Sequence, residues 1–421
     1  MRKSAPAARA VTAIALVLVI LTAAGAPAAV ASAALQSATA SPGAGETDSG
    51  GLANMLGHLP DLPLGENGAM VTYADVARQT AVLGVTPPRD ATDAAGQERW
   101  RTAVGTLLLP QSTSRNWAYP PWRETFGFDL FDVVQAAEYA APPFGVTVVR
   151  GTFDPVELRA AWARAGYQPI DLGAGEAYAV REDYAMGTDL GSQMALVYLN
   201  VVALADDGTL VLSSARDGVR GALAAIAGRA PSFADRGEVA PLVRSAPPTL
   251  VSALLMHGEA LRALPDPASA LFGDDPLADM EDFATRAADE LAEARRMPPV
   301  TAALLGQTAG APATDTAATA TADLPHPPPA RLVAVLTTIA PEAAEAAAGV
   351  IVERLATRQA AGLDDQIAGR TWAALFPERT VRVLPEDRAV LVELVPAPGV
   401  PPTVLHDLLF TRALDFLAWD L

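Results

Sequence analysis

Strand, helix, hairpin, helix: this order of elements is legible twice along the chain, and it restricts the fold more than any other feature. The first copy opens with "GVTVVRG" (145–151), a short β-branched run that reads as a buried strand. In "TFDPVELRAAWARAGY" Asp154 has the character of an N-cap, Pro155 takes the first helical position, and Glu157 stands where a capping box needs it. Phe153 and Leu158 have the spacing of a hydrophobic staple, and Gly166 is the stop. Two hairpins follow, "YQPIDLGAGEAYAVRE" and "LNVVALADDGTLVLSS". Asp207-Gly208 turns the second, with Val202 and Leu204 on one strand face and Leu210 and Leu212 on the face of its partner. Ser214 is then the expected cap of a helix that carries Asp217 at the boxing position and ends at Gly228.

The second copy runs from "RLVAVLTTI" through a helix that starts at Pro341, with Ala344, Ala348, Ile351 and Leu355 on one stripe. A hairpin turning near Glu386-Asp387 and a closing helix, "TVLHDLLFTRALDFLAW", complete it. Between the copies, 250–306 add a strand ("TLVSALLMHG"), a helix ("PLADMEDFATRAADELAEARRM") and a strand ("PVTAALLGQ"). The expected class is α+β: two helix-packed mixed sheets, built from a duplicated unit and divided into domains at 52–246 and 247–421. "MVTYADVARQTAVLGV", with Tyr73 and Asp75, joins the first of these. Residues 307–329, rich in Thr, Ala and Pro, have almost nothing to bury and are expected to lack fixed structure.

The N-terminus carries an export signal. Arg2, Lys3 and Arg9 precede an apolar run at 10–25, and "AVASAA" offers cleavage after Ala31 or Ala33. Residues 1–33 therefore read as a signal peptide, and 34–51 as a small, polar, flexible tether. Cleavage would release an extracellular or cell-envelope protein, and retention would leave it tethered by its start. No later run has the length and unbroken apolarity of a membrane span. With three basic residues removed, 27 basic groups face 48 acidic ones, net −21, and such a surface repels nucleic acid and anionic lipid. The chain has no cysteine, so its stability rests on burial rather than disulfides.

The missing residues narrow the chemistry. Lys3 is the only lysine, so the exported chain has no Walker lysine, Schiff base or kinase lysine. Without cysteine there is no thiolate nucleophile or zinc–thiolate site. His58, His257, His326 and His406 are far apart in sequence, and no G-x-S-x-G elbow is present. Carboxylates are abundant, so a glycosidase-like pair stays open. "FGDDPLADMEDF" lacks calcium-loop spacing and reads as a solvated acidic loop. No cofactor or metal is implied.

One stretch stands out. "NWAYPPWRETFGFDLF" packs six aromatic residues into 117–131. Asp129 is the expected cap of a helix through "LFDVVQAAEY", with Asp132 at the boxing position and Phe128 and Val133 as staple, which assigns Phe126, Phe128 and Phe131 to the core. Trp117, Tyr119 and Trp122, with Arg123 beside them, have two open roles. They form either a clamp across the sheet or a platform on which a glycan, peptide or other extended ligand stacks.

"FGFDLFDVVQAAEY", "VTVVRGTFDPVELRAAWARAGY" and the paired hairpins together resemble exported prokaryotic proteins of unassigned function, over roughly 120–230. That resemblance brings no activity and no site residues. The expected function is that of a secreted or cell-envelope binding protein without catalytic activity. The alternatives are a carboxylate-based glycan hydrolase and an envelope carrier of a hydrophobic ligand. Neither ligand nor oligomeric state follows from the residues.

Overall fold

A computed structural model describes residues 51–65, 68–82, 95–96, 108–110, 120–189, 193–194, 197–262, 288–289, 291–309, 331–360, 369–398, 400, 408 and 414–419. All of these belong to one compact unit. Its strands are β1 (Met70–Asp75), β2 (Val133–Ala141), β3 (Phe144–Gly151), β4 (Gln168–Ile170), β5 (Glu176–Ala179), β6 (Val201–Leu204), β7 (Leu210–Ser213), β8 (Leu250–His257), β9 (Val300–Thr308), β10 (Arg331–Thr338), β11 (Glu378–Leu384) and β12 (Ala389–Val395).

These strands join in one 12-stranded sheet, in the order β11-β12-β10-β9-β8-β1-β2-β3-β7-β6-β5-β4. The expectation of two mixed sheets is corrected here, because β1 pairs with β2 on one side and β8 on the other, and every ladder is antiparallel. Tyr73 stands opposite both Ala137 and Ala253, so the sheet runs unbroken across the expected boundary at 246/247. Every position of β1 beyond Met70 is buried, as a central strand covered on both faces requires.

The helices are α1 (Gly51–Gly57), α2 (Val76–Val82), α3 (Pro120–Phe126), α4 (Pro155–Arg164), α5 (Arg216–Ile226), α6 (Ala240–Ser245), α7 (Pro341–Thr357) and α8 (Trp372–Leu375). On one face of the sheet, α1, α5 and α6 bury Leu56, Val219, Leu223 and Leu242 against Val71, Tyr139, Val148, Leu255, Leu304 and Val335 in a single continuous core. The other face carries two separate cores. In one, Trp122, Phe128, Leu158 and Trp162 pack on Val149, Val202 and Leu212. In the other, Ile351, Leu355, Trp372 and Phe416 pack on Leu305, Ala334 and Val392.

Local rules set most elements. Asp154 caps α4 by accepting from the Val156 and Glu157 amides, Pro155 opens the helix, and Gly166 follows it at φ +87°. The two hairpins expected after α4 are β4–β5 and β6–β7, and Gly208 turns the second at φ +84°. β10, α7 and the β11–β12 hairpin stand where the second copy placed them.

Other expectations give way. Asp129 and Asp132 do form a capping box, but the helix it starts lasts only Leu130–Asp132, one 3-10 turn, and Val133 then enters β2. The β-branched pair Val133-Val134 and the pairing offered by β1 and β3 outweigh the local helical signal. Ser214 does not cap α5. The N-cap is Ala215, the Ser214 hydroxyl accepts from the Gly145 amide of β3, and Asp183 accepts from the Arg216 amide. Gln307 and Thr308, placed in the unstructured segment, extend β9 and pair with Leu332 and Arg331 of β10. Gly51, the end of the expected tether, begins α1. Residues 310–329, most of the helix expected at 276–297 and most of the closing helix at 403–419 lie outside the described residues, as do 1–50. Among the described residues, no helix is long and apolar enough to cross a membrane.

Candidate functional site

The aromatic stretch is only partly within the described residues: Trp117 and Tyr119 lie outside them. Trp122 lies inside α3 with its ring fully buried, 4.4 Å from the Phe126 ring and 5.9 Å, edge-on, from that of Phe128. It therefore performs the packing role and presents no face to a ligand. Arg123 points outward, and its guanidinium lies 2.9 Å from both Asp129 and Asp132 and 3.4 Å from Glu157. Burial raises the Asp132 carboxyl above its ordinary pKa, even though the Asp129 amide and Arg123 work the other way. Both oxygens of Asp129 and Oδ2 of Asp132 accept from backbone amides and this guanidinium, which makes the cluster a structural clasp.

A different place offers room. Where β1 ends and β8 begins, a cavity of about 300 Å³ opens at the rim of the continuous core. Leu52, Val243, Pro247, Pro248 and Leu250 supply an apolar wall, and Tyr73, Arg78 and Arg244 supply the polar groups. Each has a local reason to be there. Arg78 lies one turn into α2, with its amide capped by Asp75 at 2.9 Å, and its guanidinium reaches the Pro248 carbonyl at 3.3 Å. Arg244 lies in the last turn of α6, just before the break at Pro247-Pro248, and is held by Asp387 at 2.7 Å. Gly51 lies at the floor, where a Cβ would stand 2.8 Å from the Tyr73 hydroxyl and 3.0 Å from Gln135 Nε2 and would push those side-chain ends aside.

The charges are arranged with cations in front. Asp75 is nearly closed off (4%) behind Arg78 (37% exposed), and Asp387 (18%) sits behind Arg244 (60%). The local charge is balanced, yet the groups an incoming molecule meets are guanidinium faces beside aliphatic surface. Such a wall suits a small anion with an apolar body. Among the described residues that line it, none is a carboxylate. The sequence reading passed over Arg78 and Arg244, and only the "SAPP" turn signal marks the neighbourhood, because β1–β8 pairing brings together residues more than 160 positions apart.

On the other face of the same junction, a polar row separates the two cores. Thr147, Glu138 and Thr72 lie side by side on β3, β2 and β1, and all are buried. The Thr147 hydroxyl donates to Glu138 at 3.3 Å. Further along the sheet Ser252 pairs with Gln307, and its hydroxyl is buried without a hydrogen-bond partner. Among the described residues, no three His, Cys, Asp or Glu side chains form a cluster fit to hold a metal ion. No family model, curated protein or solved structure matches the chain.

Proposed function

We propose that this protein is a non-catalytic binding protein of the cell envelope or extracellular space, and that it holds a small amphipathic anion in the cavity at the β1–β8 junction. The observation that carries this reading is the pairing of aliphatic wall and forward guanidinium groups around about 300 Å³ of open space. That volume is near the lower end of ordinary ligand pockets, roughly 300–1,000 Å³. The proposed location is supported by the order of charged, apolar and small residues in 1–33, which reads as a signal peptide. A hydrophobic-ligand carrier and a binding protein merge here, since the cavity favours an apolar tail. Glycan hydrolysis needs two carboxylates facing across a cleft, and the described lining of this cavity contributes none.

The junction itself is the meeting point of two units that we take to be copies. Read outward from it, β1-β2-β3-β7 on one side corresponds to β8-β9-β10-β12 on the other, with α4 and α7 in equivalent connections. A crystal structure in which these two sets of strands fail to superpose would remove the duplication.

Calorimetry with octanoate, octanol and octylamine tests the ligand class. Octanoate should bind at one site, about tenfold or more tighter than octanol, because a charge-assisted hydrogen bond contributes ~1.5–3 kcal/mol. Octylamine should bind weakest. In Arg78→Gln the octanoate advantage should shrink, and in the Arg78→Gln, Arg244→Gln double variant it should vanish, while octanol binding persists in both. Equal affinity for octanoate and octanol in the unaltered protein would overturn the reading.

A further inference from the structure

The two edges of the sheet are not alike. At one end β4 is only three residues long and carries Pro169, which cannot donate to a further strand. At the other end β11 is seven residues long, pairs on one side with β12, and contains no proline between Pro377 and Pro385. Val381 and Val383 pack into the core beneath α7 and Leu384 into the core of the opposite face. By strand alternation Glu378, Thr380 and Arg382 therefore share the Leu384 face, and all three are exposed.

This edge is complementary to itself. Placed antiparallel to a second copy about a two-fold axis at Thr380, Thr380 meets Thr380, and Glu378 of each copy stands directly opposite Arg382 of the other. Both are favourable cross-strand pairs, and the contact is isologous, as a closed dimer requires. Arg379 falls opposite Val381 on the other face, so no like charges oppose. The prolines limit the match to 378–382, about 17 Å of strand at ~3.4 Å per residue. Within its own chain Arg382 lies 2.8 Å from Glu393, which itself stands opposite Thr380, so a second carboxylate from the partner copy would bracket the same guanidinium.

We propose that two copies of this protein pair through β11, extending the sheet across the axis at Thr380. So short an edge makes a weak dimer, well below the area of a permanent interface. Sedimentation equilibrium on the purified protein should show mass rising with concentration toward that of a dimer. Glu378→Arg alone, which sets two guanidinium groups against each other at both ends of the match, should stay monomeric. Arg382→Glu alone, which opposes two carboxylates there, should do the same. An equimolar mixture of the two variants should dimerise again, because each supplies the charge the other lacks. Thermal melts of Glu378→Arg should match the parent, and Arg382→Glu, which also loses its Glu393 partner within the chain, should melt somewhat lower but as cooperatively, which separates loss of pairing from loss of fold. A parent that stays monomeric at every concentration would overturn the proposal. So would single variants that dimerise as well as the parent, or a mixture that fails to recover mass.

Discussion

Replacing Arg354 by alanine is expected to destabilise the protein by about 3–5 kcal/mol, because three carbonyl groups lose their donor at ~1–3 kcal/mol for each that stays buried and unsatisfied. Arg354 sits on the buried face of α7 with its side chain 2% exposed, 3.2 Å from the Glu293 carboxylate. Its guanidinium also donates to the Glu293 carbonyl, to Ala418 O at 2.6 Å and to Phe416 O at 3.4 Å. One side chain thus fastens the 291–297 segment and the 414–419 segment to the same helix. Urea unfolding checks the magnitude, and a loss below about 1 kcal/mol, the scale of an exposed ion pair, would show that the clasp is ornamental.

The same clasp has a pH signature. Burial works against the Glu293 charge, but Arg296 and Arg354 hold its pKa below the ordinary 4.5. A depressed carboxyl contributes stability that is complete above its unfolded pKa and lost as pH falls through its folded one. Stability should therefore decline below about pH 4.5, and Arg354→Ala should flatten that decline.

The second large effect belongs to Trp122. Its complete burial between Phe126 and Phe128 makes Trp122→Ala cost about 3–5 kcal/mol through lost contacts and a residual cavity. Octanoate affinity in the folded variant should be unchanged, since Trp122 lies outside the cavity wall. Retained stability combined with lost ligand binding would restore Trp122 to the platform role and remove it from the core.

These residues also show where sequence reading succeeds. The start of α4 is written within five consecutive residues, Phe153 to Glu157, and its cap needs no distant partner. The β6–β7 hairpin is likewise local, because Gly208 supplies the positive φ its turn requires. At 129–139 the local signal was correct and insufficient: the capping box forms, but six residue pairs with β1 and eight with β3 decide the conformation beyond it. The single sheet was illegible for the same reason. Nothing near Tyr73 in sequence announces that Ala253 will lie beside it, and the cavity, built where those strands meet, inherits that obscurity. Arg354 is a similar case, since an arginine on an apolar helical stripe discloses neither Glu293 nor the carbonyl groups that receive it.

If a ligand enters at the β1–β8 junction, residue-resolved NMR during octanoate titration should locate it there. Saturable amide shifts should be confined to 51–53, 73, 78 and 243–250. Shifts centred instead on 120–132 or on the buried row around Glu138, or no shifts at all, would contradict entry at that junction.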